Sequence, residues 1–389
     1  MYPFIFHNPT KINFGCGTVG QAGAETAAAG LRHVLLVYGK SSIKRNGVYD
    51  AVTASLKAAG VAWTEWPDVA PNPLLSHARG GVARAREAGV DGILAVGGGS
   101  VIDEAKAIAL GVLSEHDVWD YYAGSRSPAA ALPLVAVLTL PATGSEMNGG
   151  TVITDDLTRE KRAVINPLLY PRASILDPET TLSVPPNYVA YSASDAISHT
   201  IESYLTRPPA FLPVQDGYAE GVVRAIMAST ERILADPKDI EARGAMMWAA
   251  TLAWNFLGSS GVGPWSTPAH MLEHPLSGLF NVPHGAGLAV TGPAWMTWES
   301  RRRTDRIAAF ARRILEVREE DDGRAAAEGI ARFRSWLKQI GNPVTLSACG
   351  LSEGQIPELA RHSEILAQAW GVGSEYTAET CGDILRLAL

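Results

Sequence analysis

Short apolar runs alternate with amphipathic stretches through the first half of the chain. Strands are predicted at residues 33–38 (HVLLVY), 61–69, 92–96 (GILAV) and 132–140 (LPLVAVLTL). Between them lie longer stretches with apolar residues at helical spacing, such as 77–89 and 101–112. Strands that are separated by helices pair in parallel through right-handed crossovers. The pattern therefore predicts an α/β domain with a parallel sheet and flanking helices.

The turns that follow the predicted strands carry small and polar residues. Because ligands on parallel sheets bind at the carboxyl ends of the strands, residues 39–44, 97–100 and 141–146 are candidate binding loops. The run GGGS at 97–100 precedes a predicted helix, and glycines there let the backbone and the helix N-terminus approach a phosphate. The run is not the GxGxxG fingerprint, so a tight turn is the alternative. Asp103 either caps its own helix or hydrogen-bonds a cofactor ribose.

The strand pattern stops at residues 176–186, LDPETTLSVPP, whose prolines and polar residues indicate a hinge. Every later segment has helical spacing. We therefore expect two domains: an α/β domain over residues 1–181, with the candidate phosphate loop, and an all-helical domain over residues 182–389.

Four residues of the second half have the chemistry of a metal site. Asp195 and His199 stand four apart on one predicted helix face, and His270 and His284 follow about seventy to ninety residues later. One carboxylate and three imidazoles suit a divalent first-row ion. Separate histidines, each hydrogen-bonded within a helical core, are the alternative. His274 lies one helical turn after His270, on the same face.

Composition narrows the function classes. The net charge of −7 gives no basic field for a nucleic acid. The N-terminus has no signal-peptide pattern, and no apolar run reaches the ~18 residues that a membrane span needs. Three cysteines without CxxC spacing fit a reducing compartment, so we expect a cytoplasmic protein.

Motifs spread over nearly the whole chain resemble the iron-containing (group III) alcohol dehydrogenases. They are PNP at 71–73, GGGSVIDEAKAIA at 97–109, TLPATGSEMN at 139–148, DAxxH at 195–199, HxxxHPL at 270–276 and PHG at 283–285. The chain looks most similar to the branch of butanol dehydrogenases and NADPH-dependent broad-range aldehyde reductases. The family fold, an α/β dinucleotide-binding domain and a helical domain with the active site in a cleft, agrees with the division above.

The resemblance implies roles for individual residues. The metal ligands carry over onto Asp195, His199, His270 and His284, and a further active-site histidine carries over onto His274. The implied coenzyme contacts are Asn72, Gly97, Gly98, Gly99, Ser100, Asp103, Thr139, Thr143, Ser145, Lys161 and Leu182. The chain departs from the family at Pro141, which lacks a backbone donor, and at Glu104, for which the sequence offers no role.

The end of the first strand bears on coenzyme choice. NAD-preferring relatives often place an aspartate there, which repels a 2′-phosphate, whereas this chain has Gly39, Lys40, Ser41, Ser42 and Lys44. We therefore expect NADP(H), bound with the help of Gly39 and Ser41, to be favoured over NAD(H). The alternative is an exposed loop that merely lacks the aspartate.

These features predict reversible hydride transfer between a nicotinamide and a small aldehyde or primary alcohol, with one divalent metal as Lewis acid. Fe²⁺ is the first choice and Zn²⁺ the second. His274 is expected to relay a proton or to hold the coenzyme, and Trp265 to wall the substrate pocket. We expect a homodimer without nucleic-acid or membrane partners. The alternatives are a diol or lactaldehyde oxidoreductase, a glycerol dehydrogenase-like enzyme using NADH, a dehydroquinate synthase-like enzyme, a maleylacetate reductase and a non-catalytic metal-binding protein.

Overall fold

The computed structural model describes residues 1–389. The strands are β1 (Lys11–Phe14), β2 (His33–Tyr38), β3 (Ala62–Trp66), β4 (Gly92–Gly98), β5 (Leu134–Leu140), β6 (Gly150–Thr154), β7 (Lys161–Ile165) and β8 (Ala173–Leu176). The helices are α1 (Ala22–Ala28), α2 (Ser42–Arg45), α3 (Val48–Ala58), α4 (Leu75–Ala88), α5 (Gly99–Val112), α6 (Trp119–Tyr122), α7 (Pro186–Thr206), α8 (Pro213–Ala235), α9 (Ile240–Ala253), α10 (Pro268–Phe280), α11 (His284–Glu299), α12 (Thr304–Ile314), α13 (Asp322–Gln339), α14 (Ile356–Ala369) and α15 (Ala378–Arg386).

Six strands form one sheet in the order β1-β8-β5-β4-β2-β3, and all neighbouring pairs are parallel. Both faces of the sheet are buried, because Leu35 and Val37 belong to one apolar cluster while Val34 and Leu36 belong to another. This double coverage explains why the strands appear as continuous apolar runs. The predicted α/β fold class is confirmed. The antiparallel pair of β6 and β7, which the sequence pattern did not predict, stands apart from the main sheet.

The chain divides into two compact units, which are interrupted in sequence. The α/β unit comprises residues 7–184 and 238–255, and the helical unit comprises residues 1–6, 185–237 and 256–389. Relative to the expected division at 181/182, α9 therefore lies with the α/β unit. The structure supplies a physical reason: the Thr251 hydroxyl donates to the Glu146 carboxylate, and the Asn148 amide donates to the Trp254 carbonyl at 3.2 Å.

Prolines mark the start of three long helices of the helical unit. Pro186, Pro213 and Pro268 occupy the first turns of α7, α8 and α10. A proline there loses no helical hydrogen bond, since the first backbone N–H groups of a helix have no partner within it. No helix combines the length and the apolarity needed to cross a bilayer.

Glu104, which had no role from sequence, joins three elements of the α/β unit. Its carboxylate on α5 is fully buried, accepts from the Trp66 indole at 3.2 Å and lies 2.6 Å from Nδ1 of His77 on α4. The Trp66 and His77 rings also pack together, with centroids 4.8 Å apart. The hydrogen bond to Glu104 raises the pKa of His77. The Glu104–His77 contact therefore links α4 to α5, and it is strongest when His77 is protonated.

The Glu104–His77 contact predicts a pH-dependent effect of Glu104→Gln on thermal stability. Because the pKa of His77 is raised on folding, its stabilising contribution is complete below the unfolded value of about 6.5 and disappears as pH rises through the folded value. We expect the variant to lower the midpoint of thermal unfolding by several degrees at pH 6 and by less at pH 9. Glu87→Gln, an exposed carboxylate on α4, is the control. An equal decrease in the midpoint of thermal unfolding at both pH values would contradict the stabilising Glu104–His77 contact.

Candidate metal centre and coenzyme loops

Three helices of the helical unit bring the four predicted metal ligands together. Asp195 and His199 lie on one face of α7, His270 lies on α10, and His284 is the first residue of α11. Oδ1 of Asp195 lies 3.2 Å from Nδ1 of His199, 3.8 Å from Nε2 of His270 and 3.7 Å from Nε2 of His284. The structure thus places all four side chains around one carboxylate oxygen.

This arrangement fits a bound cation. Oδ1 of Asp195 is buried and accepts no hydrogen bond, although three ring nitrogens surround it. Metal–ligand bonds of about 2.1 Å place tetrahedral ligand atoms about 3.4 Å apart, which is close to these separations. Asp195, His199 and His270 are each less than a tenth exposed. Three of the four donors are therefore shielded from water, His284 is partly exposed, and all four are spaced as ligands of one ion are spaced.

The charges in the set act strongly on one another. Burial alone raises the pKa of Asp195, but the imidazoles led by His199 outweigh it and hold that pKa far below its usual range. Burial lowers the pKa of His199 to about 3. Burial also acts to lower the pKa of His270, but the negative charge of Glu202 outweighs it and raises that pKa to about 10. The site therefore keeps an anionic oxygen across the physiological pH range.

Two buried glutamates contact the outer nitrogens of the imidazoles. Oε2 of Glu202 contacts Nδ1 of His270, and Oε2 of Glu273 contacts Nδ1 of His284. The sequence analysis missed both residues. Glu202 lies three residues after His199 and Glu273 three residues after His270, on the helices that carry the ligands, and this proximity was the only signal that the sequence offered.

His274 lies beside this set. Its ring centroid is 5.8 Å from that of His284 and 5.4 Å from that of Trp370, which meets it edge-on at 86°. Trp370, at the end of α14, was not predicted from sequence. Trp265, the predicted pocket wall, is half-buried in the segment before α10.

In the α/β unit, the predicted glycine loop forms a strand–helix corner. β4 runs through Gly97 and Gly98, and α5 begins at Gly99, two residues earlier than its apolar pattern suggested. A Cβ on Gly97 would lie 2.5 Å from the Val101 side chain, and one on Gly99 would lie 2.4 Å from Thr143. Side chains are excluded by close packing, which leaves the backbone and the N-terminus of α5 as the groups that an anion can approach.

Asp103 and Ser145 are joined to each other inside the unit. The Ser145 hydroxyl donates to Oδ1 of Asp103 at 2.6 Å, and the Val152 amide donates to Oδ2 at 3.0 Å. Asp103 therefore does not cap its own helix, which has no side-chain cap. The ammonium of Lys106, a fully buried residue on α5, lies 2.7–3.3 Å from five oxygens of Ser145, Asn148 and Gly150. Together these contacts hold residues 145–152, which include the end of the predicted binding loop 141–146, against α5.

The other predicted coenzyme residues also lie in the α/β unit. Lys161 donates to the Asn72 side chain at 3.3 Å, and both residues are buried. Thr139 lies near the end of β5, the Thr143 hydroxyl accepts from the Ser145 amide at 3.1 Å, and Leu182 is 42% exposed. Gly39 and Ser41 follow β2.

An acidic residue, Glu65, lies beside the predicted 2′-phosphate loop, and sequence reasoning missed it. Its carboxylate accepts from the hydroxyls of Tyr38 and Tyr49 and lies 3.5 Å from the Lys44 ammonium. Lys44 also lies over both tyrosine rings, 5.1 and 4.7 Å from their centroids. Its charge is therefore partly offset, while Lys40 is exposed.

Comparison with known proteins decides the family. Residues 9–178 match the family described as iron-containing alcohol dehydrogenase, and residues 189–387 match the C-terminal region of the Fe-containing alcohol dehydrogenase family. The chain belongs to the iron-containing alcohol dehydrogenase family. It is therefore an enzyme, a nicotinamide-dependent alcohol dehydrogenase.

Similar members of the iron-containing alcohol dehydrogenase family align over almost the whole chain. The probable NADH-dependent butanol dehydrogenase 1 of Bacillus subtilis is 39% identical over 92% of this chain and 93% of its own length. The NADPH-dependent aldehyde reductase YqhD of Escherichia coli is 36% identical over 94% and 93%, respectively. The crystal structure of NADH-dependent butanol dehydrogenase A from Thermotoga maritima superposes with a TM-score of 0.96 at 41% identity, covering 100% of this chain and 99% of that one.

The approach of α11 to α7 gives a test of the metal centre. A Cβ on Gly285 would lie 2.0 Å from the backbone oxygen of Tyr191, so Gly285→Ala must displace the start of α11 and with it His284. We expect a loss of about 1–3 kcal/mol in stability, together with loss of bound zinc on dialysis. Gly292→Ala is the matched control, because a Cβ on this buried glycine of α11 meets nothing within 4 Å. Full zinc retention in Gly285→Ala would contradict the proposed placement of His284.

Proposed function

We propose that this dehydrogenase transfers hydride reversibly between a nicotinamide coenzyme and a small aldehyde or primary alcohol, with one divalent metal ion. The observation that carries the proposal is the convergence of three imidazole nitrogens on Oδ1 of Asp195. The names of the similar proteins, butanol dehydrogenases and an aldehyde reductase, support the substrate class.

Asp195, His199, His270 and His284 would hold the ion, with Fe²⁺ the first choice and Zn²⁺ the second. When bound, the ion supplies Lewis acidity toward a carbonyl oxygen, on which negative charge develops as hydride arrives. The four ligands carry only one formal negative charge, so they leave much of the charge of the cation available.

The chain's own residues would supply the proton and the binding surface. His274 is buried next to His284. One of its imidazole nitrogens would hold a proton and pass it on, or would hold the coenzyme. Trp370 packs edge-on against His274 and would limit the freedom of its ring. Trp265 would wall the substrate pocket.

The α/β unit would bind the coenzyme. Gly97, Gly98, Gly99 and Ser100, with the N-terminus of α5, would receive the pyrophosphate. The remaining proposed contacts are Gly39, Ser41, Asn72, Asp103, Thr139, Thr143, Ser145, Lys161 and Leu182. For Asp103 and Ser145, the mutual hydrogen bond argues for action through loop position as much as through direct contact.

For the coenzyme, we propose that NADP(H) is favoured over NAD(H). Gly39 contributes no negative charge at the end of β2, Lys40 is exposed, and the Ser41 hydroxyl, which accepts from the Arg45 guanidinium, keeps its own proton to donate to a 2′-phosphate. NADH is the second candidate: Glu65 partly offsets the charge of Lys44, and four similar proteins are named NADH-dependent.

We further propose a homodimer in the cytoplasm. The three cysteines are free thiols, as a reducing compartment requires. β1 is an edge strand of the main sheet, and a second copy of the chain offers it a pairing partner.

Removal of the metal tests the reaction class. Dialysis against a strong chelator should abolish aldehyde reduction, because the four side chains alone cannot stabilise the developing alkoxide. Addition of Fe²⁺ or Zn²⁺ should restore it, as measured by coenzyme oxidation at 340 nm. Full activity in a preparation shown by elemental analysis to be metal-free would refute the Lewis-acid role.

Coenzyme choice is tested at Gly39. A Cβ there would meet its nearest neighbours, Val69 and Val101, at 3.8 and 3.9 Å, so a side chain fits. Gly39→Asp should lower kcat/KM for NADPH at least about tenfold, or about 1.4 kcal/mol, and affect NADH less, because a carboxylate repels the 2′-phosphate. Gly39→Ala should leave the preference unchanged. A wild-type enzyme that prefers NADH would overturn the proposed selectivity.

A further inference from the structure

Glu202 and Glu273 occupy equivalent places around the predicted ion. Each is fully buried, and each contacts Nδ1 of a histidine whose Nε2 is directed at Oδ1 of Asp195. Two carboxylates have thus been placed behind two imidazoles in the same orientation, although they lie on different helices, α7 and α10.

Glu202 is held by the start of α10. Its Oε1 accepts from the backbone amides of Ala269 and His270, at 2.6 and 3.3 Å. These amides belong to the first turn of the helix and have no partner within it. The other oxygen, Oε2, is thereby aimed at Nδ1 of His270.

Glu273 is held by a residue one turn further along α10. Its Oε1 accepts from the hydroxyl of Ser277, which also lies 3.0 Å from the Val282 carbonyl. A Cβ on Gly287 would lie 2.7 Å from Cγ of Glu273, so the glycine makes room for this side chain. Oε2 is left to contact Nδ1 of His284.

A carboxylate on the outer nitrogen has two effects on an imidazole. It keeps the proton on Nδ1, so that the lone pair of Nε2 faces inward, and it makes the ring a stronger donor. It also costs free energy, because a buried negative charge needs a positive partner. Together with Asp195, the two glutamates place three carboxylates around the histidines, and a divalent cation would offset two of those charges.

The contact of Glu273 also bears on the number of ions. Glu273, His274 and His284 bring ligand atoms within 4.8 Å of one another and could by composition form a second site. However, Glu273 takes up Nδ1 of His284, and its second oxygen is taken up by Ser277. The triplet therefore supports the first ion and does not hold another.

We propose that Glu202 and Glu273 are positioning residues that set the affinity of the metal centre and the donor strength of His270 and His284. The proposal rests on the proposed function, since it takes the four converging side chains as the ligands of one ion. It adds two residues that act through those ligands and contact neither substrate nor coenzyme.

The experiment compares metal binding by the full-length wild-type protein and by the Glu202→Gln and Glu273→Gln variants, which keep the side-chain shape and remove the charge. Zinc affinity is measured by competition with a chelator, and the Co²⁺-loaded proteins are compared by visible absorption. Each variant should bind zinc about 10–100-fold more weakly, and its Co²⁺ bands should shift because one donor has weakened. The wild type should bind one ion per chain.

Glu299→Gln is the matched control. Glu299 is another buried glutamate of the helical unit, on α11, and its carboxylate pairs with Arg303 at 2.8 Å rather than with a histidine. This variant should keep the affinity and the spectrum of the wild type. Because Glu202 also holds the start of α10, Glu273→Gln decides the matter if Glu202→Gln does not fold.

Wild-type affinity and an unchanged Co²⁺ spectrum in Glu273→Gln would overturn the inference while leaving the proposed function standing. A folded wild-type protein that binds neither Zn²⁺, Fe²⁺ nor Co²⁺ would instead overturn the proposed function itself, and the inference with it.

Discussion

The arrangement of helices in the helical unit depends on the groups that surround one buried carboxylate, that of Asp195. Asp195 sits in the middle of α7, in an environment where an isolated carboxylate is very costly. Rings from α7, α10 and α11 approach one of its oxygens, and two glutamates stand behind two of those rings. The packing of the three helices is consistent with this demand, since glycines occur where α11 meets the α7 backbone and the Glu273 side chain. The positions of the buried charges and the packing of α7, α10 and α11 thus depend on each other.

The α/β unit also surrounds a buried charge, but this charge is positive. Lys106 is buried in α5, where burial lowers its pKa to about 8. Its ammonium donates to oxygens of Ser145, Asn148 and Gly150. Asp103, one turn earlier, accepts from Ser145 in the same segment and from the Val152 amide in β6. The helix that presents its N-terminus to the proposed pyrophosphate also anchors the neighbouring loop. Two of the proposed coenzyme-binding elements are therefore held by the same helix.

Much of this organisation follows from the sequence, because periodicity records which faces of an element are buried. The runs at 33–38, 92–96 and 132–140 correspond to β2, β4 and β5, and the spacing of Asp195 and His199 places both on one helix face. Periodicity does not record what a face is buried against. The apolar face of α9 resembles that of any other helix of the second half, yet it packs with the α/β unit.

Buried charges are the other part that sequence reasoning lost. Glu104, Glu202 and Glu273 are fully buried, although a glutamate in a helix is normally taken for a solvent-exposed residue. Each is buried because a specific donor on another element meets it: His77, His270 and His284, respectively. Such pairs join residues that are 27, 68 and 11 positions apart, and no local pattern links them.

The enclosure of Lys106 has a consequence for motion. Five oxygens from Ser145, Asn148 and Gly150 lose their cation if residues 145–150 move away from α5, and a buried oxygen that is left without its partner costs free energy. We therefore expect this segment to open only in larger fluctuations that also loosen α5, and its amide protons to exchange with solvent as slowly as those of the sheet interior. Residues 145–150 should therefore be less mobile than the flexible loops that close over the active sites of many enzymes.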